Sequence, residues 1–325
     1  MKSMAPEFNL IGPGGYVWPH PEWSIFPLVE GLQWHVQMVG DPSLPPLLLL
    51  HGTGSASHSW QGLASLLQSR YSLIIPDLPG HGRTGDPGDA GLSLNGMSRR
   101  LRSLLDYLKV EPLEVWGNSA GAAIACKMTI DDLIHPERIV AINGALLPPA
   151  GMPLHLFSPI AKFLALLPFV PHIFARHARD TEAVNSLISG TGSKLNQEGL
   201  ALYKALMSSP GHCAAALRMM AHWDLASLEQ ELTLLKTPID LLVGQKDRTI
   251  PPSEVFRIQR LIPHAKIVSL ACLGHLAHEE DPEACLVAAL VHAPEYKARS
   301  FDEHASNQKT HPLASATLSV VKSSK

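Results

Sequence analysis

The chain has 325 residues, of which 46% are hydrophobic and 17% are charged, and its formal net charge at pH 7 is -3. A chain of this size can bury a large core, and it lacks the basic excess that binding to nucleic acid requires, so we expect no nucleic-acid partner. Pro, Gly or charged residues interrupt every apolar run near the N-terminus, and the four cysteines show no paired spacing, as is typical of a reduced cytoplasmic protein without a secretory signal.

Short apolar runs alternate with segments of helical period over most of the chain. In chain order, strands are predicted at Leu32–Met38, Pro46–His51, Ser72–Pro76, Leu113–Trp116, Arg138–Asn143, Ile239–Val243 and Lys266–Leu270. Helices are predicted at His58–Gln68, Leu94–Leu108, Ala120–Leu133, Glu254–Leu261 and Pro282–Val291. This alternation is typical of an α/β protein whose mostly parallel sheet is flanked by helices.

The alternation stops between the fifth and sixth predicted strands. A helical stretch punctuated by prolines takes its place, and we interpret residues 148–236 as a helical cap inserted over the carboxyl edge of the sheet, where such sheets bind ligands. Residues 1–147 and 237–296 would form the core. The polar segment 297–325 has no periodic apolar face and is predicted to be disordered.

The stretch VWGNSAGAAIA, residues 115–125, marks the candidate nucleophile. An apolar strand breaks into Gly, Asn, Ser, Ala and Gly and then continues as an alanine-rich helix. This G-x-S-x-G pattern is typical of the sharp strand-to-helix turn that exposes a serine hydroxyl for attack, here that of Ser119. A serine hydroxyl is a weak nucleophile until a histidine takes its proton and a carboxylate orients that histidine.

Both partners follow in the expected order. Asp247 lies in the loop after one predicted strand, and His275, preceded by a glycine, lies in the loop after the next. The order Ser, Asp, His is that of the α/β-hydrolase fold. His278 is a rival general base. The run HLAHEE lacks the spacing of a zinc-binding helix, and no phosphate-binding glycine motif is present, so we expect neither a metal nor a cofactor.

The oxyanion of an acyl-transfer intermediate needs backbone N–H donors. We assign them to Ala120, directly after the nucleophile, and to Thr53 or Gly54 in the loop after the strand LLLLHG. Substrate contacts are assigned to the side chains of His58, Asn118, Phe157, Met220 and Trp223. His58 could equally cap the helix that follows it, and the apolar cap residues could equally form the cap's own core. His51, Asp77 and His81 are expected to build turns.

Several longer stretches carry a resemblance that runs from about residue 16 to residue 291. They include YVWPHPEWS, LLLLHGTGSASHSW, GNSAGAAIA, LISGTGSKLNQEGLALY, MMAHWDL and GHLAHEE. Together they resemble the magnesium chelatase accessory proteins of bacteriochlorophyll biosynthesis, which have the α/β-hydrolase fold. The resemblance implies a role in photosynthetic pigment synthesis near magnesium insertion, with the chelatase subunits as partners and a tetrapyrrole as a fitting substrate.

Three functional hypotheses follow. The first is a serine hydrolase acting on an ester-like group of a hydrophobic substrate. The second is a non-catalytic accessory protein that binds a tetrapyrrole in the same pocket, and the third is a carbon–carbon bond hydrolase with the same triad. An epoxide hydrolase or dehalogenase is disfavoured because each needs a carboxylate where this chain has Ser119. The apolar segment 158–175 is a poor membrane span, but it could lie on a membrane surface.

Overall fold

A nine-stranded sheet forms the centre of the computed structural model, which describes residues 18–148, 167, 169–293 and 318–320. Its order is β1-β4-β6-β5-β7-β8-β9-β10-β11, and β2 and β3 form a separate small sheet. The strand bounds are β1 Ser24–Ile25, β2 Leu28–Val29, β3 Leu32–Gln33, β4 Val36–Val39, β5 Pro46–Leu50, β6 Ser72–Pro76, β7 Glu114–Asn118, β8 Arg138–Ile142, β9 Ile239–Gly244, β10 Lys266–Leu270 and β11 Leu318–Val320. All neighbours from β6 to β10 run parallel, which confirms the predicted α/β fold.

Helices pack against both faces of this sheet. Leu48 and Leu50 of β5 lie in one apolar cluster, and Leu47 and Leu49 lie in the other, as the two-residue period of a strand requires. The α-helices are Gln61–Leu67, Asp89–Leu92, Leu94–Leu108, Ala120–Ile130, Val170–His177, Thr181–Gly190, Gln197–Met207, Pro210–Ala221, Leu225–Glu231, Val255–Leu261, Ala277–Glu280 and Pro282–Leu290. Within the described part of the chain, none of these helices has both the length and the apolar character needed to cross a bilayer.

The structure corrects one of the predicted strands. The predicted strand Leu32–Met38 is broken: β3 pairs with β2, whereas β4 joins the main sheet between β1 and β6. The break occurs because the backbone N–H of His35 donates to the Thr84 hydroxyl instead of a neighbouring strand. Residues 318–320, which form β11, pair with β10. The prediction of disorder for segment 297–325 as a whole stays a prediction.

Among the described residues between β8 and β9, where the sequence predicts a cap, there are five α-helices. The N-termini of four of them are fixed by side chains that accept a backbone N–H, and these N-cap residues are Asp180, Asn196, Ser209 and Asp224. Such caps satisfy donors that a helix leaves unpaired. Phe157 and much of the predicted apolar stretch 158–175 lie outside the described residues. The division of the chain into core and cap stays a prediction.

Candidate active site

The turn at Ser119 joins β7 directly to the helix that begins at Ala120. Ser119 has a φ of 51°, a left-handed conformation that side chains other than glycine adopt at a cost, and its side chain is only partly buried. The flanking glycines permit the close approach of helix and strand. A Cβ on Gly117 would lie 2.6 Å from the carbonyl oxygen of Gly121, and one on Gly121 would lie 2.9 Å from that of His51.

We expect Gly121→Ala to lower the free energy of unfolding by about 2–4 kcal/mol, because the added methyl group meets fixed backbone and not a movable side chain. Urea unfolding monitored by circular dichroism measures this change. Gly211→Ala is the control: its Cβ would come no closer than 3.9 Å to the Ser209 hydroxyl oxygen, and we expect no loss. Equal midpoints for Gly121→Ala and the unmutated protein would contradict the steric argument.

Asp247 and His275 form a buried hydrogen-bonded pair beyond the ends of β9 and β10. The Nδ1 of His275 donates to Asp247 Oδ2 across 2.8 Å. The other carboxylate oxygen of Asp247 accepts the backbone N–H groups of Thr249, at 2.7 Å, and Ile250, at 2.9 Å. These two bonds orient the carboxylate toward the imidazole. The pair therefore holds His275 in the tautomer whose Nε2 can accept a proton.

Two asparagine side chains hold the backbone of His275. The amide nitrogens of Asn118 and Asn143 donate to its carbonyl oxygen at 3.1 and 3.0 Å, and Asn143 also donates to Gly274. Asn118 directly precedes Ser119, so its bond ties the serine turn to the histidine loop. The amide nitrogen of Asn118 thus donates to backbone carbonyls, and the assignment of Asn118 to substrate contact stays a prediction. Asn143, which lies just beyond the end of β8, was not among the predicted site residues.

His278, the rival general base, lies elsewhere. Its Nε2 is hydrogen-bonded to the hydroxyl of Ser59 at 2.7 Å, and its side chain is fully buried. Burial lowers the pKa of His278 to about 3, with the nearby His275 adding to the effect. The geometry thus favours His275 as the histidine that Asp247 orients.

The loop after β5 passes close to the serine turn. A Cβ on Gly52 would lie 3.1 Å from the Cβ of Ser119, and Gly54 has a φ of 76°. The carbonyl oxygen of Gly54 accepts from Nε2 of His212 at 3.1 Å, so a helix of the predicted cap fixes this loop. Ala120 is the first residue of its helix, where an N–H has no partner within the helix. The loop that contains Thr53 and Gly54 thus approaches the turn at Ser119, and the assignment of these residues and Ala120 as oxyanion donors stays a prediction.

A cavity of about 260 Å³ opens between the helices that follow β8. Its lining is mostly apolar and includes Phe174, Val184, Leu187, Leu217 and Met220, and it reaches Gly54 of the loop described above. Met220 lines this cavity, whereas Trp223 does not and is half-buried against the main core. The assignment of both side chains to substrate contact stays a prediction.

His58 is neither a helix cap nor a lining residue of this cavity. It lies inside the 3-10 helix Ser57–Trp60, with its ring packed edge-on against Trp18 and Tyr203. In the described part of the chain, neither ring nitrogen of His58 has a hydrogen-bond partner. Burial lowers its pKa to about 3, which keeps the imidazole neutral. His58 therefore does not cap the helix that follows it, and its assignment to substrate contact stays a prediction.

A second Ser–His–Asp series was not expected from the sequence. His35 is hydrogen-bonded to Asp77 at 2.7 Å through Nδ1 and to Ser24 at 2.9 Å through Nε2. Asp77 also accepts the backbone N–H groups of Ser57 and Arg83, as a turn-building residue does. Ser24 lies in the extended backbone of edge strand β1, without the helix N-terminus that supplies an oxyanion donor beside Ser119. The geometry therefore favours Ser119 as the nucleophile.

Comparison with known proteins agrees with this fold. The sequence model of the alpha/beta hydrolase fold family matches residues 45–282. The magnesium-chelatase 30 kDa subunit of Rhodobacter capsulatus is 35% identical over 262 residues, which cover 81% of this chain and 91% of that protein. The pimeloyl-[acyl-carrier protein] methyl ester esterase of Klebsiella pneumoniae is 28% identical over 240 residues, 73% of this chain and 89% of the esterase.

A solved structure shows the same architecture. The crystal structure of an alpha/beta hydrolase fold protein from Burkholderia ambifaria has a TM-score of 0.69 and 25% sequence identity, and the match covers 83% of this chain and 98% of that one. The family match spans more than half of the chain and includes all three candidate catalytic residues. The chain therefore belongs to the alpha/beta hydrolase fold family.

Proposed function

We propose that the protein is a serine hydrolase that cleaves an ester-like bond of a hydrophobic substrate. The observation that carries the proposal is that the serine turn and the His275–Asp247 pair are linked by a hydrogen bond at one edge of the sheet. A strained serine turn ends β7, and the residue before it is hydrogen-bonded to the backbone of a histidine that is itself paired with Asp247. Nucleophile, base and orienting carboxylate are the components that acyl transfer requires.

The proposed reaction begins with attack of the Ser119 hydroxyl oxygen on the substrate carbonyl carbon. Nε2 of His275 takes the hydroxyl proton, and the imidazolium is stabilised by Asp247. The backbone N–H groups of Ala120 and of Thr53 or Gly54 stabilise the oxyanion. His275 then donates its proton to the leaving alcohol, which departs from the acyl-enzyme. A water molecule, deprotonated by His275, hydrolyses that acyl-enzyme and restores Ser119.

The character of the cavity supports an apolar substrate. Its volume of about 260 Å³ is below the range of roughly 300–1,000 Å³ that encloses a drug-sized ligand, so we expect it to hold one apolar arm of a larger molecule. The name of the Rhodobacter capsulatus relative supports a role beside magnesium chelatase. The family resemblance of the sequence extends this proposal to bacteriochlorophyll synthesis, with a tetrapyrrole ester as substrate. In this proposal the protein is cytoplasmic and contacts chelatase subunits.

Contact with a membrane surface is part of the same proposal. Phe169, Ile173, Phe174 and Leu187 lie among the helices around the cavity, and each is more than half exposed. Exposed aromatic and aliphatic side chains of this kind insert into the boundary between headgroups and acyl chains. An apolar substrate could then pass from the lipid to the cavity without crossing water.

A fluorophosphonate probe tests the nucleophile directly. We expect the unmutated protein and Ser24→Ala to gain the mass of one phosphonyl group, whereas Ser119→Ala does not react, because an activated serine is required for attack on phosphorus. The Ser24 variant is the matched control, since Ser24 also has a His–Asp partner. Labelling that is lost in Ser24→Ala and kept in Ser119→Ala would show that Ser24, and not Ser119, is the activated serine.

Binding without catalysis is the second candidate. It is favoured by the cavity itself, because its lining touches the candidate catalytic edge at Gly54 while the rest comes from the helices after β8. If a folded protein is not labelled, titration with protoporphyrin, followed by quenching of tryptophan fluorescence, tests this function. A carbon–carbon bond hydrolase would share the triad and is separated by product analysis on a vinylogous diketone.

A further inference from the structure

Glu279 stands at the centre of a chain of buried side-chain hydrogen bonds that the proposed reaction does not use. Its Oε1 accepts from the hydroxyl of Ser59 at 2.6 Å and from that of Tyr203 at 2.7 Å. Ser59 is also bonded to Nε2 of His278 at 2.7 Å, and Tyr203 lies 3.0 Å from the hydroxyl of Ser55. We call these five residues the Glu279 network.

The Glu279 network joins the three segments that surround the candidate site. Ser55 belongs to the loop after β5, directly following Gly54, and Ser59 belongs to the 3-10 helix Ser57–Trp60 that continues this loop. Tyr203 belongs to the helix Gln197–Met207. Glu279 and His278 belong to the four-residue helix Ala277–Glu280, which begins two residues after His275. A shift of any one of these segments therefore stretches a bond to another.

The helix Ala277–Glu280 is too short to be stable without contacts to other segments. Isolated helices shorter than about 12–15 residues are marginal in water, so a four-residue helix depends on its contacts. Its side chains supply them: Glu279 binds the two hydroxyls, and Oε1 of Glu280 accepts the backbone N–H of Gly274 at 2.7 Å. Leu276, between His275 and this helix, packs in the same apolar cluster as Tyr203.

No side chain of the Glu279 network carries a permanent positive charge that pairs with Glu279. His278 lies 3.9 Å away and has a lowered pKa, as does His58, which packs against Tyr203. Burial, reinforced by Glu280, raises the pKa of Glu279 to about 7. The side chain therefore works as a hydrogen-bond acceptor in either protonation state, and not as one half of an ion pair.

We propose that Glu279 is a positioning residue, which fixes His275 relative to the oxyanion loop by holding Ser59 and Tyr203 against the helix Ala277–Glu280. This inference rests on the hydrolysis proposed above. It predicts that loss of the carboxylate acceptor misaligns the candidate site, although Ser119, His275 and Asp247 are all still present. Misplacement of this kind lowers turnover more than it lowers substrate affinity.

The test compares Glu279→Ala, Glu279→Gln, Tyr203→Phe and the control Glu283→Gln, which changes an exposed carboxylate of the next helix. We expect Glu279→Ala to lower kcat for a p-nitrophenyl ester about 30-fold with little change in KM. The amide oxygen of Gln can still accept both hydroxyls, so Glu279→Gln should stay within about threefold of the unmutated protein. Tyr203→Phe removes one of the two donors and should cost about three- to tenfold.

Proton NMR provides a readout that does not depend on catalysis. The Nδ1 proton of His275, held by Asp247, gives a low-field resonance. We expect it to shift or broaden in Glu279→Ala and Tyr203→Phe and to persist in Glu279→Gln and Glu283→Gln. An unchanged resonance and unchanged kcat in Tyr203→Phe, or in a folded Glu279→Ala protein, would overturn the proposal. If Ser119→Ala keeps full ester activity, the proposed function fails, while the resonance still decides the role of Glu279.

Discussion

Ser119→Ala is expected to lower kcat for an apolar p-nitrophenyl ester by about 10⁵-fold or more, since loss of a triad nucleophile leaves only the contribution of oxyanion donors and binding. Asp247→Asn should cost about 10⁴-fold, because an amide at this position favours the wrong tautomer of His275. Initial rates with each purified variant, at substrate concentrations spanning KM, measure both losses. KM should change far less than kcat.

Two serine variants serve as controls for this expectation. Ser65→Ala removes an exposed hydroxyl bonded to the carbonyl of Gln61, and Ser24→Ala removes the hydroxyl of the second Ser–His–Asp series. Both should keep kcat within about twofold, since neither hydroxyl takes part in the proposed acyl transfer. Circular dichroism shows whether each variant is folded. Ester hydrolysis that survives in a folded Ser119→Ala protein at more than a tenth of the normal rate would exclude Ser119 as the nucleophile.

The sequence was most informative where a local pattern dictates local backbone. The glycines around Ser119 are needed because a Cβ at position 117 or 121 would meet fixed backbone, and this requirement is visible in five residues of sequence. The same holds for Asp247, which follows a strand and accepts N–H groups from residues just after it. Chain order and strand spacing then suffice to predict that loops after neighbouring parallel strands meet at one edge.

Contacts between distant segments are not visible as a local pattern in the sequence. Asn143 and Glu279 act through partners more than 70 residues away, and an asparagine or glutamate carries no sequence signal for the carbonyl or hydroxyl that it will meet. The burial of His58 was not predicted for the same reason, because it depends on Trp18 and Tyr203 from two other segments. The strands β1 and β2, of two residues each, are too short to show an alternating pattern.

Acid is expected to destabilise the protein strongly, by at least about 3–4 kcal/mol between pH 7 and pH 5, because the lowered pKa values of His81 and His212 add to the contributions that follow. Burial lowers the pKa of His51 to about 4 and the pKa values of His58 and His278 to about 3, from an ordinary value of 6.5. At pH 5 the unfolded chain protonates these groups and the folded chain does not, so each costs about 2 kcal/mol. Glu279, whose folded pKa is about 7, offsets about 2 kcal/mol by binding its proton more tightly when folded.

The sign of each contribution follows from which state binds more protons. A histidine with a lowered pKa contributes stability above pH 6.5 that is lost as the pH falls toward its folded value, and a carboxyl with a raised pKa does the reverse. Urea unfolding at pH 5, 6, 7 and 8 measures the sum. For His51 the neutral form is built into the fold, because its Nε2 accepts the backbone N–H of Leu78 and would lose that bond on protonation.

His58→Phe isolates one of these contributions. The phenyl ring can keep the edge contacts with Trp18 and Tyr203, and it removes two buried nitrogens that lack hydrogen bonds in the described structure. We expect this variant to be more stable than the unmutated protein at pH 5 by about 2 kcal/mol, with a smaller difference at pH 7. His264→Gln, which replaces an exposed histidine, is the matched control. If the free energy of unfolding of His58→Phe depends on pH in the same way as that of the unmutated protein, burial does not keep His58 neutral in the folded state. The acid sensitivity then has another origin.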